Sequence, residues 1–208
     1  MSGVNKAELR AHFKQIRDSM TAEEKDNIEN KVFECCVNSD IFRQSKDILI
    51  YVSGGIEIGT RKLMGHVLKD AESGLKRLLC PKCEKGTNIM HFYVIGSMEE
   101  LESGSFGILE PKACCERVDD PIDPLCIVPA LSFDSKGYRL GFGKGFYDRF
   151  LADFNGISVG LCCESCMTDG ELPRDEHDIC VDYIATECGW VKDPQREYKR
   201  KGDSRNER

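Results

Sequence analysis

Residues 125–151 read LCIVPALSFDSKGYRLGFGKGFYDRFL. The apolar run at 125–129 suits a strand buried on both faces, and the segment after Gly145 suits a helix. Between them lie Gly137, Gly141, Gly143 and Gly145. A strand feeding a glycine loop and then a helix is a building unit of layered α/β proteins. Glycines alternating at 141, 143 and 145 let backbone N–H groups approach an anion closely, while Arg139 and Lys144 bring charge that phosphate oxygens can use. The functional reading is a phosphate cradle; the structural one is a tight strand-to-helix turn with no ligand. The loop is not a Walker A sequence, because no Lys–Ser/Thr pair closes it. Nor is it G-x-G-x-x-G, because its third glycine falls one residue early.

Toward the N-terminus, Leu9, Phe13 and Ile16 recur at helical spacing. Thr21-x-x-Glu24 then forms a capping box ahead of a second helix carrying Ile28 and Val32. The run DILIYV at 47–52 predicts a strand. After it, Thr60 is placed to cap a helix whose Leu63, Met64, Val67, Leu68 and Ala71 share a face and which Gly74 ends. Further strands are expected at 76–80, 89–95, 157–162 and 181–185. These elements predict an α/β fold: a single layered domain, Rossmann-like, with a mainly parallel sheet flanked by helices. Such sheets bind ligands beyond the carboxyl ends of their strands.

With 208 residues, 40% hydrophobic and 31% charged, the chain suits one soluble domain over 1–190. Residues 191–208 hold seven Lys/Arg against four Asp/Glu and almost nothing apolar, and read as a disordered basic tail. The net charge of −7 argues against broad nucleic-acid binding, so none is expected. No apolar run has bilayer length and the first residues are polar, so a cytoplasmic protein without a membrane partner is expected, by default a monomer. The 12 cysteines include the pairs Cys80/Cys83 and Cys163/Cys166, so a shared zinc site has to be considered. The favoured reading is that Cys80, Cys162 and Cys163 continue apolar runs as small hydrophobes.

The segment Arg139-Leu140-Gly141-Phe142-Gly143-Lys144-Gly145-Phe146-Tyr147-Asp148 resembles the R-L-G-x-G-K-G-[FY]-Y-D signature of the 5-formyltetrahydrofolate cyclo-ligase family. Lys6-x-x-x-Arg10, Glu57-x-x-Thr60, Phe106 to Pro111, Leu172-Pro173, His177-Asp178 and Asp182 resemble the family pattern in the same order, across residues 6 to 186. The resemblance implies a ligase that uses ATP and Mg²⁺ to convert 5-formyltetrahydrofolate into 5,10-methenyltetrahydrofolate through a phosphorylated formyl group. It further implies that Lys6, Arg10 and residues 139–147 contact ATP, with Lys144 and Arg139 at the reacting phosphoryl group. Folate is expected against Val52, Glu57 and residues 142–146, and Mg²⁺ on Asp148 and Asp178. Phe142 stands where some relatives carry Arg, and Phe146 where others carry Tyr.

Each of these residues also has a structural reading. Lys6 and Arg10 suit the solvated face of an amphipathic helix, Glu57 and Asp178 suit ordinary loop acids, and Asp148 could pair with Arg149 or Lys144. Phe142, Phe146 and Tyr147 could be core aromatics, and His177 reads as a structural loop residue. Two other functions share the scaffold: a noncatalytic relative binding RNA through the basic tail, and a sugar-phosphate isomerase that needs neither ATP nor Mg²⁺.

Overall fold

The computed structural model describes residues 5–192. Helices α1 (Lys6–Ser19), α2 (Ala22–Val37) and α3 (Asp40–Gln44) precede β1 (Asp47–Ile50), α4 (Arg61–Glu72), β2 (Arg77–Cys83) and β3 (Met90–Ile95). The short strands β4 (Leu101–Ser103), β5 (Leu109–Pro111) and β6 (Arg117–Val118) lead to β7 (Leu125–Val128), β8 (Ser132–Asp134) and β9 (Arg139–Leu140). After α5 (Phe146–Asp153) come β10 (Ile157–Leu161), β11 (Met167–Thr168), β12 (Tyr183–Thr186) and β13 (Gly189–Lys192).

Eight strands form one sheet in the order β13-β12-β10-β7-β1-β2-β3-β6. Its centre, β12-β10-β7-β1-β2, is parallel, and the antiparallel strands β13, β3 and β6 extend its two edges. All four residues of β1 and of β7 are buried, as parallel strands covered on both faces require. Pro81 is tolerated inside β2 because β1 pairs with that strand only as far as Leu79.

Chain direction across this sheet creates the site. From β1 the chain passes through α4 to β2 on one side, whereas from β7 it passes through α5 to β10 on the other. The loops leaving the carboxyl ends of β1 and β7 therefore diverge and leave a crevice between them. One wall is the 51–60 segment and the other is the 129–145 segment.

Both opening helices are capped as their residue types dictate. The Asn5 side chain accepts from Ala7 N and Glu8 N while Glu8 returns to Asn5 N, and Thr21 and Glu24 form the expected box on α2. Thr60 behaves differently from the sequence reading. It occupies the cap position of α4, but its hydroxyl donates to Tyr51 O (2.8 Å) and accepts from Ser53 N (3.1 Å), closing the loop after β1. The boundary at residue 190 also moves. Val191 and Lys192 belong to β13, because Gly189, at φ +121°, turns the chain back along β12 and Trp190 packs edge-on against Tyr183. The rest of the expected tail lies outside the described residues.

Cys80, Cys162 and Cys163 are fully buried within the hydrophobic core, with the Arg17 guanidinium reaching the Cys162 sulfur. The two C-x-x-C pairs belong to β2 and to the end of β10, with β7 and β1 between these strands. Three strand spacings amount to about 14 Å, too far for four thiolates to share one zinc ion.

Candidate active site

Helix α1 packs against β9 and the turn at Glu164–Cys166, and its cations reach the neighbouring loops. Lys6 Nζ donates to Asp175 Oδ2 and Asp178 Oδ2, each at 2.6 Å. One turn later, Arg10 Nε donates to the Gly141 carbonyl at 2.8 Å. These residues are therefore not an idle solvated face: their i, i+4 spacing aims both at the same wall. Burial works against the charge on Lys6, but hydrogen bonds with the two aspartates outweigh it and raise its pKa. For Asp178, burial opposes ionisation, while the Lys6 hydrogen bond and the Asp175 N–H hold the carboxyl below its usual range.

The glycine loop depends on its composition at two positions. Gly143 sits at φ +95°, and a side chain there would start 3.4 Å from the Arg10 guanidinium. Gly145, at φ +68°, occupies the N-cap of α5 in the left-handed conformation, so no side chain caps that helix. The N-terminus of α5 thus follows directly on the glycine loop, and the start of a helix favours an anion. Phe142 is 47% exposed, so it is not a core aromatic; Leu140 is buried beneath it.

Arg139 and Asp148 form a brace. Arg139 Nη2 donates to Asp148 Oδ1 and Nη1 to the Ile179 carbonyl, both at 2.6 Å, while Ile179 N donates back to Asp148 Oδ1 at 3.2 Å. The partner of Asp148 is thus Arg139 rather than Arg149, which reaches the Lys144 and Gly145 carbonyls. The Arg139 side chain is only 5% exposed, which makes it a support beneath the loop. The bond from Ile179 N also ties Asp148 to the residue that follows Asp178 in the chain. The described bonds engage Oδ1 of Asp148 and Oδ2 of Asp178, one oxygen of each. Two carboxylates completed by substrate phosphates and water form a donor set that suits Mg²⁺. Among the described residues, no group of three or more His, Cys, Asp or Glu side chains is placed to hold a metal without such help. His177 has an 87% exposed side chain and reaches only Glu176, in keeping with a loop residue.

Across the crevice, Val52 is buried at the end of β1 and Glu57 lies half-buried in the loop that follows. Glu57 Oε2 accepts from Gly54 N at 3.0 Å. Burial raises its pKa, and the Gly54 hydrogen bond and the Arg17 charge only partly counter it. The Tyr147 hydroxyl is buried near Glu57 and Tyr51 and has no hydrogen-bond partner among the described residues. A buried hydroxyl without a partner is an unused polar contact.

Sequence reasoning missed Arg17. It is 2% exposed and donates to Ile56 O (3.0 Å), Ala130 O (2.9 Å) and Leu131 O (3.0 Å), so one guanidinium joins both walls. The signal was available: Arg17 falls on the same helical stripe as Lys6, Arg10 and the buried Phe13.

Residues 2–187 match the model of the 5-formyltetrahydrofolate cyclo-ligase family. The chain belongs to that family. It is therefore a cyclo-ligase-family enzyme, and the likeness carried by the glycine loop extends through the whole domain. The Haemophilus influenzae 5-formyltetrahydrofolate cyclo-ligase is 30% identical over 184 residues, which cover 86% of this chain and 96% of that one. The Mus musculus protein of the same name is 28% identical over 88% of this chain and 95% of its own. The solved 5,10-methenyltetrahydrofolate synthetase of Aquifex aeolicus superposes with a TM-score of 0.78 at 33% identity, covering 96% of this chain and 98% of that one. The Mycoplasma pneumoniae synthetase, at 22% identity and a TM-score of 0.70, shares the fold. Among the described residues, no helix of this cyclo-ligase-family chain is long and apolar enough to cross a membrane.

Proposed function

We propose that the crevice binds ATP along the glycine loop and 5-formyltetrahydrofolate against Glu57, and joins the formyl carbon to the neighbouring folate nitrogen with release of ADP and phosphate. The observation that carries this reading is the pair of walls: a cationic, N–H-rich loop faces a carboxylate set in apolar surroundings. Lys6 and Arg10 on α1 and Lys144 in the loop are long cations suited to phosphate oxygens. Ionised Glu57 can accept two parallel hydrogen bonds from the amino-pyrimidinone edge of a folate, with Val52 as the apolar wall beside it.

A formyl oxygen is a poor leaving group. In this proposal it attacks the γ-phosphorus of ATP and ADP departs, leaving an iminium phosphate. The neighbouring folate nitrogen then attacks the former formyl carbon, that nitrogen's proton is lost, and phosphate leaves with the formyl oxygen. Catalysis of this kind rests on alignment and charge neutralisation, so no side chain need become covalently attached. Asp148 and Asp178 would hold Mg²⁺, which when bound neutralises phosphate charge. Arg139, placed at the reacting phosphoryl group by the resemblance, would contribute by holding Asp148 in place. Lys144 is the residue assigned to the transferring phosphoryl group.

The test is the appearance of the methenyl chromophore from 5-formyltetrahydrofolate, with and without ATP and Mg²⁺. Product is expected only when ATP is present, and Lys144→Ala should lower turnover roughly a thousandfold with the fold retained. Asp148→Asn should act in the same direction. Product forming equally well without ATP would refute the reading in favour of an isomerase-like chemistry, and full activity in both variants would show that the residues are wrongly assigned. The RNA-binding reading rests on residues beyond 192 and gains no support from the described part of the chain.

A further inference from the structure

Glu57 sits in a segment whose two flanks are held by other parts of the molecule. On one side Arg17 Nη1 donates to Ile56 O at 3.0 Å, and on the other Tyr51 Oη donates to Ile58 O at 2.8 Å. Beyond these, Glu29 on α2 accepts from Gly59 N through Oε1 at 3.0 Å. Gly59 is not among the glycines with positive φ, so its lack of a side chain serves space rather than conformation. A Cβ at this position would lie 2.4 Å from Glu29 Cδ and 2.5 Å from each carboxylate oxygen. The carboxylate therefore fills the volume that a side chain at 59 would need, and the two residues form a matched pair.

We propose that Glu29 is a positioning residue for folate: its carboxylate latches the Gly59 amide and fixes the segment that presents Glu57 to the crevice. This inference rests on the folate reading of Glu57. A charge-assisted hydrogen bond to a backbone N–H is stronger than a neutral one and directional. The Glu29 bond lies on the folate wall, whereas the cations of α1 reach the other side: Arg10 bonds Gly141 O of the glycine loop, and Lys6 bonds Asp175 and Asp178. Its effect should therefore fall on one substrate and spare the other.

Steady-state kinetics on the full chain test this with Glu29→Ala, Glu29→Gln, Gly59→Ala, the Glu29→Ala/Gly59→Ala double variant and Glu57→Gln. Glu29→Ala is expected to raise KM for 5-formyltetrahydrofolate roughly five- to tenfold while KM for ATP stays within about twofold. Glu29→Gln keeps the accepting oxygen and should recover most of the affinity. Gly59→Ala displaces the carboxylate and should reproduce Glu29→Ala, and the double variant should be no worse than either single one. A raised folate KM in Glu57→Gln with none in Glu29→Ala overturns the latch alone. An unchanged folate KM in Glu57→Gln overturns the folate reading and the latch with it. Equal rises in both KM values, or a lowered melting temperature with neither KM changed, reduce Glu29 to a structural residue and also overturn the proposal.

Discussion

The two walls of the crevice are held in different proportions by charge. The glycine-loop wall adds ion pairs to its backbone bonds: Arg139, its side chain buried, pairs with Asp148, and Lys6 pairs with Asp175 and Asp178 beside it, while Arg10 bonds Gly141 O. The 51–60 wall is held by bonds to its backbone, from Arg17, Tyr51, Thr60 and Glu29. A polyanion entering the first wall must exchange existing partners, since Lys6 already holds two carboxylates. A folate edge entering the second meets a loop whose geometry is set in advance. With the walls assigned as proposed, nucleotide binding rearranges charge, whereas folate binding uses a preformed surface.

Arg17 is the joint between the walls, so its loss should have the largest effect on the comparison. Arg17→Met leaves three carbonyls without their donor and is expected to cost about 2–4 kcal/mol of stability. Both KM values should rise, as measured by thermal unfolding and steady-state kinetics. A rise in only one of them would mean that Arg17 serves one wall and not both.

Lys6→Met should separate the walls. KM for ATP is expected to increase about tenfold with the folate KM unchanged, because the lost charge lies on the phosphate side only. An equal loss for both substrates would dissolve the distinction.

The smallest expected effect is a pH dependence. Burial foremost raises the Glu57 pKa above 4.5, so the carboxylate proposed to accept from folate becomes protonated at a higher pH than an ordinary glutamate. Folate KM should therefore rise as pH falls through the interval just above 4.5, and Glu57→Gln should flatten that profile. The stability term has the opposite sign: a raised carboxyl pKa means that charging Glu57 as pH rises removes a contribution present when it is protonated. A folate KM independent of pH across that interval would remove Glu57 from the binding surface.

Most of the parallel core was legible because its strands are short Ile-, Val- and Leu-rich runs between turn residues, and 125–128 led directly into the loop. The small strands β6, β8, β9 and β11 were not, since two or three residues carry no periodicity of their own and exist only where tertiary pairing gives them a place, β6 at the edge of the main sheet and β11-β8-β9 in a small sheet of their own. Thr60 shows a similar limit. Its type and position suit a cap, yet the Tyr51 carbonyl and Ser53 N–H, brought near by the turn, take its hydroxyl. At the site, the glycine loop announced itself through its composition. Arg17 was marked only by its place on the stripe of Lys6, Arg10 and Phe13, and Glu29 by nothing, because their partners are backbone atoms 39 and 30 residues away in the chain. A cation or carboxylate that binds main chain leaves no matching residue type in the sequence to pair it with.

The central claim is that the γ-phosphoryl group of ATP is delivered to the formyl oxygen. It is tested most directly by supplying 5-formyltetrahydrofolate with that oxygen isotopically labelled and analysing the phosphate released by mass spectrometry. The account predicts that each phosphate carries the labelled oxygen. Unlabelled phosphate released in step with the methenyl product would contradict it.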